Sequence, residues 1–340
     1  MNEYDKHILI IRLSAIGDVA IAAPLVHALS KQYPNYKITV LTKPFFNSIF
    51  DLIPNVEVLN LKANKEHKGL IGLYKLSQQI KHLKVDAIAD LHNVLRTKIT
   101  SVFLPNKIRF EKINKGRKEK KQLVEGKLFK QLPTSFDRYR NVFERLNIDI
   151  SLEQPYFLEK PTFSSDAISK VFSSSKKTIG IAPFAAFEGK TYPLTKMKEV
   201  VNALSKNYSV LLFGGKTQSE ELEGLVANPN VKNCAGQFSF SDELAIIAHL
   251  DLMISMDSGN AHLAAMFGVK TVTLWGITHP FAGFYPYKQP MEYALLANRE
   301  KYPKIPTSIY GNKSPKGYVN AIASIAPEEI INKVSQVIND

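Results

Sequence analysis

A single cysteine, Cys234, stands in a chain of 340 residues. That excludes an internal disulfide and any zinc cage built from thiolates, and it fits a reducing cytoplasm. No apolar stretch approaches the roughly 18 residues needed to cross a bilayer. Low-complexity tracts and short internal repeats are missing too, which sets aside disordered and solenoid architectures. The G-x-G-x-x-G glycines of a dinucleotide fingerprint are not there. The chain starts MNEYDKHILIIRL, charged and running straight into a strand, so no secretory leader is expected.

Acidic residues are scarce in the first half only. Residues 1–150 hold 26 Lys and Arg against 14 Asp and Glu, whereas residues 151–340 hold 18 against 17. The excess behind a formal charge of +13 therefore lies in the first half and points to an acidic partner for it. The densest stretch is KIRFEKINKGRKEKK, residues 107–121, with eight basic residues in fifteen. A solvated loop accounts for such a run. Contact with the phosphates of a phospholipid surface, a phosphorylated glycolipid or nucleic acid accounts for it equally. Nucleic acid fits less well, because neither a helix-turn-helix signal nor an aromatic-basic platform accompanies the run.

What the chain does have is alternation. Apolar runs at His7–Leu13, Lys37–Thr42, Val56–Leu59 and Ala87–Asp90 read as strands. Helices are expected over about Asp18–Gln32, over Gly69–Leu83 and from near Asn93, with Pro24 either kinking the first or marking its regular start. Residues 151–177, rich in Ser, Pro and charge, form a boundary. Beyond it, strands are expected at Thr178–Ala182, Ser209–Phe213, Leu252–Met256 and Thr271–Trp275. The interleaved helices are Leu194–Lys206, Gln218–Ala227, Asp242–His249 (with Ser241 as N-cap) and Asn260–Phe267, and Pro327–Ile338 closes the chain. The pattern predicts an α/β protein of two doubly wound halves, residues 1–160 and 161–326, with a closing helix over 327–340. Ligands are expected at the carboxyl ends of the strands, in a cleft between the halves.

Four loops carry candidate chemistry. In ILIIRLSAIGDVAIAAP, residues 8–24, Gly17 permits a tight turn and Asp18 stands at a helix start, as a cap or as a general base. In LMISMDSGNAHLAAMFG, residues 252–268, Asp257, Ser258 and Gly259 end a strand and open a helix carrying His262. Such N-termini present free N–H groups and a positive dipole end to anions. A third loop, from Ala182 to Pro193, carries Lys190, a candidate for neutralising a phosphate leaving group. A fourth, Phe213-Gly214-Gly215-Lys216, precedes Glu220 and Glu221, candidate acceptors for ribose hydroxyls.

Taken in order, these segments resemble glycosyltransferase family 9, the ADP-heptose:lipopolysaccharide heptosyltransferases. IRLSAIGDVAIAAP is similar to that family's N-terminal signature, and DSGNAHLAAMFGVKTVTLWGITHP to its D-[ST]-G-x-x-H-L-A-A motif with the following G-x-T-x-P. Gly189-Lys190-Thr191-Tyr192-Pro193 resembles the K-x-W-P loop, and Gly236–Phe240 the G-K-x-S-L segment. The resemblance implies a GT-B fold of two Rossmann-like domains and an inverting transfer of a heptose or related sugar from an ADP-sugar, with no metal or other cofactor. It makes Asp18 the base that deprotonates the acceptor and Lys190 the group that stabilises the departing diphosphate. Ala182, Glu220, Phe238, Asp257, Ser258, Gly259 and His262 join Lys190 in holding the donor. It assigns acceptor binding to the first half, where Gly17, His92, Arg96, Lys98, Arg109, Arg117 and Lys121 are the candidates. The partner it implies is a phosphorylated glycolipid, reached peripherally at the inner face of the cytoplasmic membrane. Tyr192 departs from the usual Trp, and Leu91-His92-Asn93 stands where a Gln-Gly pair is common. A sugar-nucleotide epimerase of the same fold and a non-catalytic nucleic-acid binder are the competing readings.

Overall fold

In the computed structural model, residues 4–172 and 174–339 are described. Met1–Glu3, Ser173 and Asp340, which belong to the expected first domain, boundary and closing segment, lie outside them. The chain divides into two units, Met1–Lys115 with Ser135–Glu159, and Gly116–Thr134 with Lys160–Asp340.

The first unit holds a sheet of β1 (Lys6–Ile11), β2 (Tyr36–Thr42), β3 (Val56–Asn60), β4 (Ala87–Asp90) and β5 (Arg109–Lys112). Its order is β3-β2-β1-β4-β5, and every pairing is parallel. Continuous apolar runs such as Ile8–Ile11 suit a central strand covered on both faces. Leu9, Ile11, Leu41, Leu76, Ile80 and Ile88 share one core cluster. Strand order reverses between β1 and β4, so the loops after these two strands flank the switch point where ligands of open α/β sheets bind.

The second unit repeats the plan with β6 (Thr178–Ala182), β7 (Ser209–Leu212), β8 (Val231–Asn233), β9 (Leu252–Met256), β10 (Lys270–Trp275) and β11 (Ala294–Leu296). The order is β11-β10-β9-β6-β7-β8, again all parallel, with the switch point between β6 and β9. The helix Pro327–Val337 buries Ile330, Val334 and Val337 in the same cluster as Met197, Val200 and Val201 of the helix Leu194–Leu204.

Several expectations need correction. The first helix begins at Ile16, not Asp18, and Pro24 lies inside it. The helix expected over Gln218–Ala227 is only Ser219–Glu223, because Gly224 ends it. The N-cap is Ser239 rather than Ser241, its hydroxyl accepting from the Asp242 N–H at 3.2 Å. Short or polar strands β5, β8 and β11, and the helices Arg117–Val124 and Ser135–Arg145, escape the apolar pattern. Residues 116–134 go with the second unit: Leu123 and Leu132 pack with Ala282, Leu132 N–H donates to Phe281 O at 3.0 Å, and Lys120 lies 4.1 Å over the Phe284 ring.

Candidate functional site

In the first unit, the carboxyl ends of β1 and β4 bring Arg12, Asp18 and His92 together. Arg12 follows the apolar strand and is buried. A buried guanidinium needs partners, and it has them: Nη2 meets Asp18 Oδ2 at 2.5 Å and Nη1 donates to Leu91 O at 2.7 Å. Its guanidinium also lies 5.6 Å from the Tyr139 ring, whose hydroxyl donates to Asp18 Oδ1 at 3.4 Å. Asp18 reaches back to the Ala15 N–H only at 3.4 Å, so its main partner is the arginine and not the helix end. Both carboxylate oxygens are thereby aimed, while the side chain keeps 28% of its surface open. His92 Nδ1 accepts from Leu13 N–H at 3.3 Å. Burial first, then the charges of Arg12 and Lys115, push the imidazole down to about 3, so it is neutral here.

Gly17 and Asp18 share the first turn of the Ile16–Gln32 helix. Arg96 and Lys98 ride on the helix Leu95–Val102, which starts at the same end of the sheet. The other acceptor candidates are placed elsewhere. Arg109 opens β5 opposite Ala87, at the amino end of the parallel strands, and its guanidinium donates to Arg145 O at 3.0 Å. Arg117 and Lys121 lie on the Arg117–Val124 helix, whose apolar side packs in the second unit, and Lys121 is 3.6 Å from Glu125.

In the second unit the loops after β6 and β9 carry the chemistry. Ala182 ends β6, and the loop beyond it delivers Lys190, whose Nζ lies 2.9 Å from Asp257 Oδ2 just after β9. Thr278 Oγ1 donates to the same oxygen at 2.8 Å. The lysine and the aspartate are almost completely covered, a charge-assisted pair in a low-dielectric setting. Ser258 is the N-cap of the Gly259–Met266 helix, yet its hydroxyl turns to Ser255 Oγ at 3.0 Å and caps no helix N–H. The first N–H groups of that helix are thus not claimed by a side-chain cap, as an anion site requires. His262 is buried one turn into the same helix.

Close backbone approaches hold this loop. A Cβ on Gly276 would collide with Gly189 O, and Ile277 N–H donates to that carbonyl at 3.1 Å. Gly311, at φ +85°, gives room to the stem of Lys190. We expect Gly276→Ala to cost about 1–3 kcal/mol by overpacking, read as a lower urea midpoint; an unchanged midpoint contradicts this packing. Tyr192 is buried with its hydroxyl donating to Ile325 O at 2.8 Å, so the departure from Trp falls on packing.

Farther along the sheet, Glu220 is exposed in the first turn of its short helix and Phe238 is half-buried in the loop after β8. Gly236, at φ +67°, packs so tightly on Lys216 that a Cβ would lie 2.8 Å from its Cα, which holds these two loops side by side. Arg12 and Tyr139 are not among the sequence candidates, and Thr278 stands in the G-x-T-x-P motif without a role assigned to it. For Arg12 a signal existed, a charged residue directly after a fully buried strand.

Residues 73–312 match the model of glycosyltransferase family 9 (heptosyltransferase). The lipopolysaccharide core heptosyltransferase OpsX of Haemophilus influenzae is 23% identical over 324 residues, 93% of this chain and 88% of its own length. The family 9 glycosyl transferase structure from Veillonella parvula has a TM-score of 0.75 at 20% identity, covering 100% of this chain and 99% of the other. The E. coli heptosyltransferase WaaC with ADP has a TM-score of 0.66 at 15% identity, covering 97% of each. These likenesses bear out the GT-B fold, with its two Rossmann-like domains. With the signature loops lying at the two switch points, and most of the chain inside the family match, this protein belongs to glycosyltransferase family 9, the heptosyltransferases.

Proposed function

We propose that this enzyme moves a heptose, or a related sugar, from an ADP-sugar to a phosphorylated lipopolysaccharide-core or similar glycolipid acceptor, inverting the anomeric centre and using no metal ion. The observation that carries the reading is the Lys190–Asp257–Thr278 cluster beside an uncapped helix N-terminus at the switch point of the second sheet. When the bond from the sugar C1 to the diphosphate oxygen breaks, negative charge grows on that oxygen. One ammonium group and a row of aimed N–H groups stabilise it where it forms. Glu220 takes the ribose hydroxyls, Phe238 lies beside the base, and Ala182, Ser258, Gly259 and His262 complete the donor contacts. The named activity of the Haemophilus relative and the ADP of the E. coli structure support this choice of donor and acceptor.

Asp18 is the base. It takes the proton of the acceptor hydroxyl as that oxygen bonds to C1 from the face opposite the leaving group. Gly17, His92, Arg96 and Lys98 line the acceptor side, His92 as a neutral hydrogen-bonding group. The enzyme works at the cytoplasmic face of the inner membrane as a peripheral protein. The test is transfer from ADP-heptose to a heptose-free phosphorylated core acceptor in excess EDTA, with the product anomer read by NMR. We expect full activity and an inverted centre. Retention of configuration, or activity lost in EDTA and restored by Mg²⁺, overturns the mechanism. A changed ADP-sugar released without any acceptor points instead to the epimerase.

A further inference from the structure

Among the described residues no helix is long and apolar enough to cross a membrane. The first unit nevertheless exposes an apolar patch that no contact in its fold explains. In the helix Gly69–His82, Leu73, Leu76 and Ile80 face the core. On the other side stand Leu70, 65% exposed, Ile71, 75%, and Tyr74. In the helix Leu95–Val102, Leu95 and Val102 are 73% and 79% exposed. They are seven residues apart and therefore on one face, with Lys98 and Ile99 between them. The Tyr74 ring meets Phe103 edge-on at 5.5 Å, which joins the two stripes. Large apolar side chains scattered singly on a surface need no explanation, but a joined set of five does.

The surrounding charge is of one sign. Residues 67–85 and 91–110 carry eight Lys and Arg and not one Asp or Glu. Lys68, Lys75, Lys98 and Lys107 are exposed. The carboxylates that border these windows are engaged or covered: Glu66 is held by Lys62 at 3.3 Å and by Gln79 at 2.7 Å, Asp86 accepts from the His7 N–H at 2.8 Å, Asp90 is buried, and Glu111 pairs with Arg145 at 2.9 Å. Two such faces repel, which disfavours a second copy of the chain as the occupant. Apolar side chains with lysines at their margin and no acid match a bilayer surface of anionic lipid.

We propose that the exposed faces of the helices Gly69–His82 and Leu95–Val102 dock this enzyme onto anionic lipid. Leu70, Ile71, Tyr74, Leu95 and Val102 enter the headgroup–acyl boundary and the lysines pair with lipid phosphates. The basic run at residues 107–121 does not act as one anchor: Lys107 belongs to the first unit, whereas Arg117–Lys121 belongs to the second, with Lys120 buried against Phe284. Leu95 begins its helix beyond β4, at the carboxyl edge of the sheet that carries Asp18. Docking there brings a lipid-linked acceptor to the side of the base, a consequence that rests on the function proposed above.

The test is flotation of the full chain with vesicles of phosphatidylethanolamine and phosphatidylglycerol, free of glycolipid, against vesicles of phosphatidylcholine alone. Wild type is expected on the anionic vesicles only. Ile71→Glu with Val102→Glu, and separately Lys68→Glu with Lys75→Glu, should each weaken partitioning by about tenfold or more, since one cation near such a surface is worth about fivefold. Lys6→Glu with Lys31→Glu alters net charge equally within the first unit, at the start of β1 and in the last turn of the Ile16–Gln32 helix, and should leave partitioning within about twofold, because surface attraction fades within a Debye length. No binding by wild type, an equal loss in that control, or a dimer abolished by the patch variants in place of vesicle binding overturns the proposal. Neither donor nor acceptor is present, so the outcome is independent of the transfer assay.

Discussion

Asp18→Asn is expected to lower kcat by about 10²–10⁴-fold, the usual contribution of a positioned general base, while the affinity for ADP stays within about twofold. Asparagine keeps an oxygen for the Arg12 guanidinium, now 2.5 Å from the carboxylate, so the loop should hold its shape. The loss should therefore fall on the chemical step and not on donor binding. Steady-state kinetics at saturating donor and acceptor, with ADP calorimetry on the same preparation, read both quantities. An Asp18→Asn enzyme with wild-type kcat removes the base from the mechanism. Weakened ADP binding with unchanged kcat moves Asp18 to the donor side.

Lys190→Ala is expected to cost about 10²–10³-fold in kcat, the size seen when one aimed donor to a developing oxyanion is removed. It should also weaken ADP binding, because the ammonium group meets diphosphate charge in the ground state as well. Removing the lysine leaves Asp257 covered, with Thr278 as its side-chain partner among the described residues. Breaking a buried pair from one side costs about 3–5 kcal/mol of stability. A thermal scan must therefore accompany the kinetics, and Lys190→Arg keeps the charge where alanine removes it. Partial recovery by arginine marks the cation itself as the working element. Two equally inactive, fully folded variants would tie the effect to the lysine's shape and contradict a charge-based role.

The legible parts of the molecule were those written in long apolar runs or fixed small-residue patterns. Ile8–Ile11, Thr178–Ala182 and Leu252–Met256 are buried on both faces and announce parallel strands. The Asp257-Ser258-Gly259 turn announces the end of one such strand and the start of a helix. Strands of three or four residues with polar content, such as Arg109–Lys112 and Val231–Asn233, carry too little pattern to stand out from loops. Partnerships across the chain were illegible. Nothing local joins Arg12 to Leu91 or Tyr139 to Asp18, more than 70 residues apart; parallel β1–β4 pairing and the Ser135–Arg145 helix create those contacts. The basic run at 107–121 reads as one feature, yet it straddles two units, its second part anchored by Leu123 against a different core. The exposed Leu70, Ile71 and Tyr74 read as ordinary helix residues until burial shows which side faces out.

On the mechanism proposed above, the second unit holds a nucleoside diphosphate by backbone N–H groups and Lys190, without metal. The most direct measurement is calorimetric titration of ADP, UDP and GDP into the chelated protein and into Lys190→Ala. Metal-free binding of ADP in preference to the other two is expected, weakened by about tenfold or more on loss of the ammonium group, the size of a charge-assisted contact. Binding that requires Mg²⁺, or ADP binding untouched by Lys190→Ala, would contradict it.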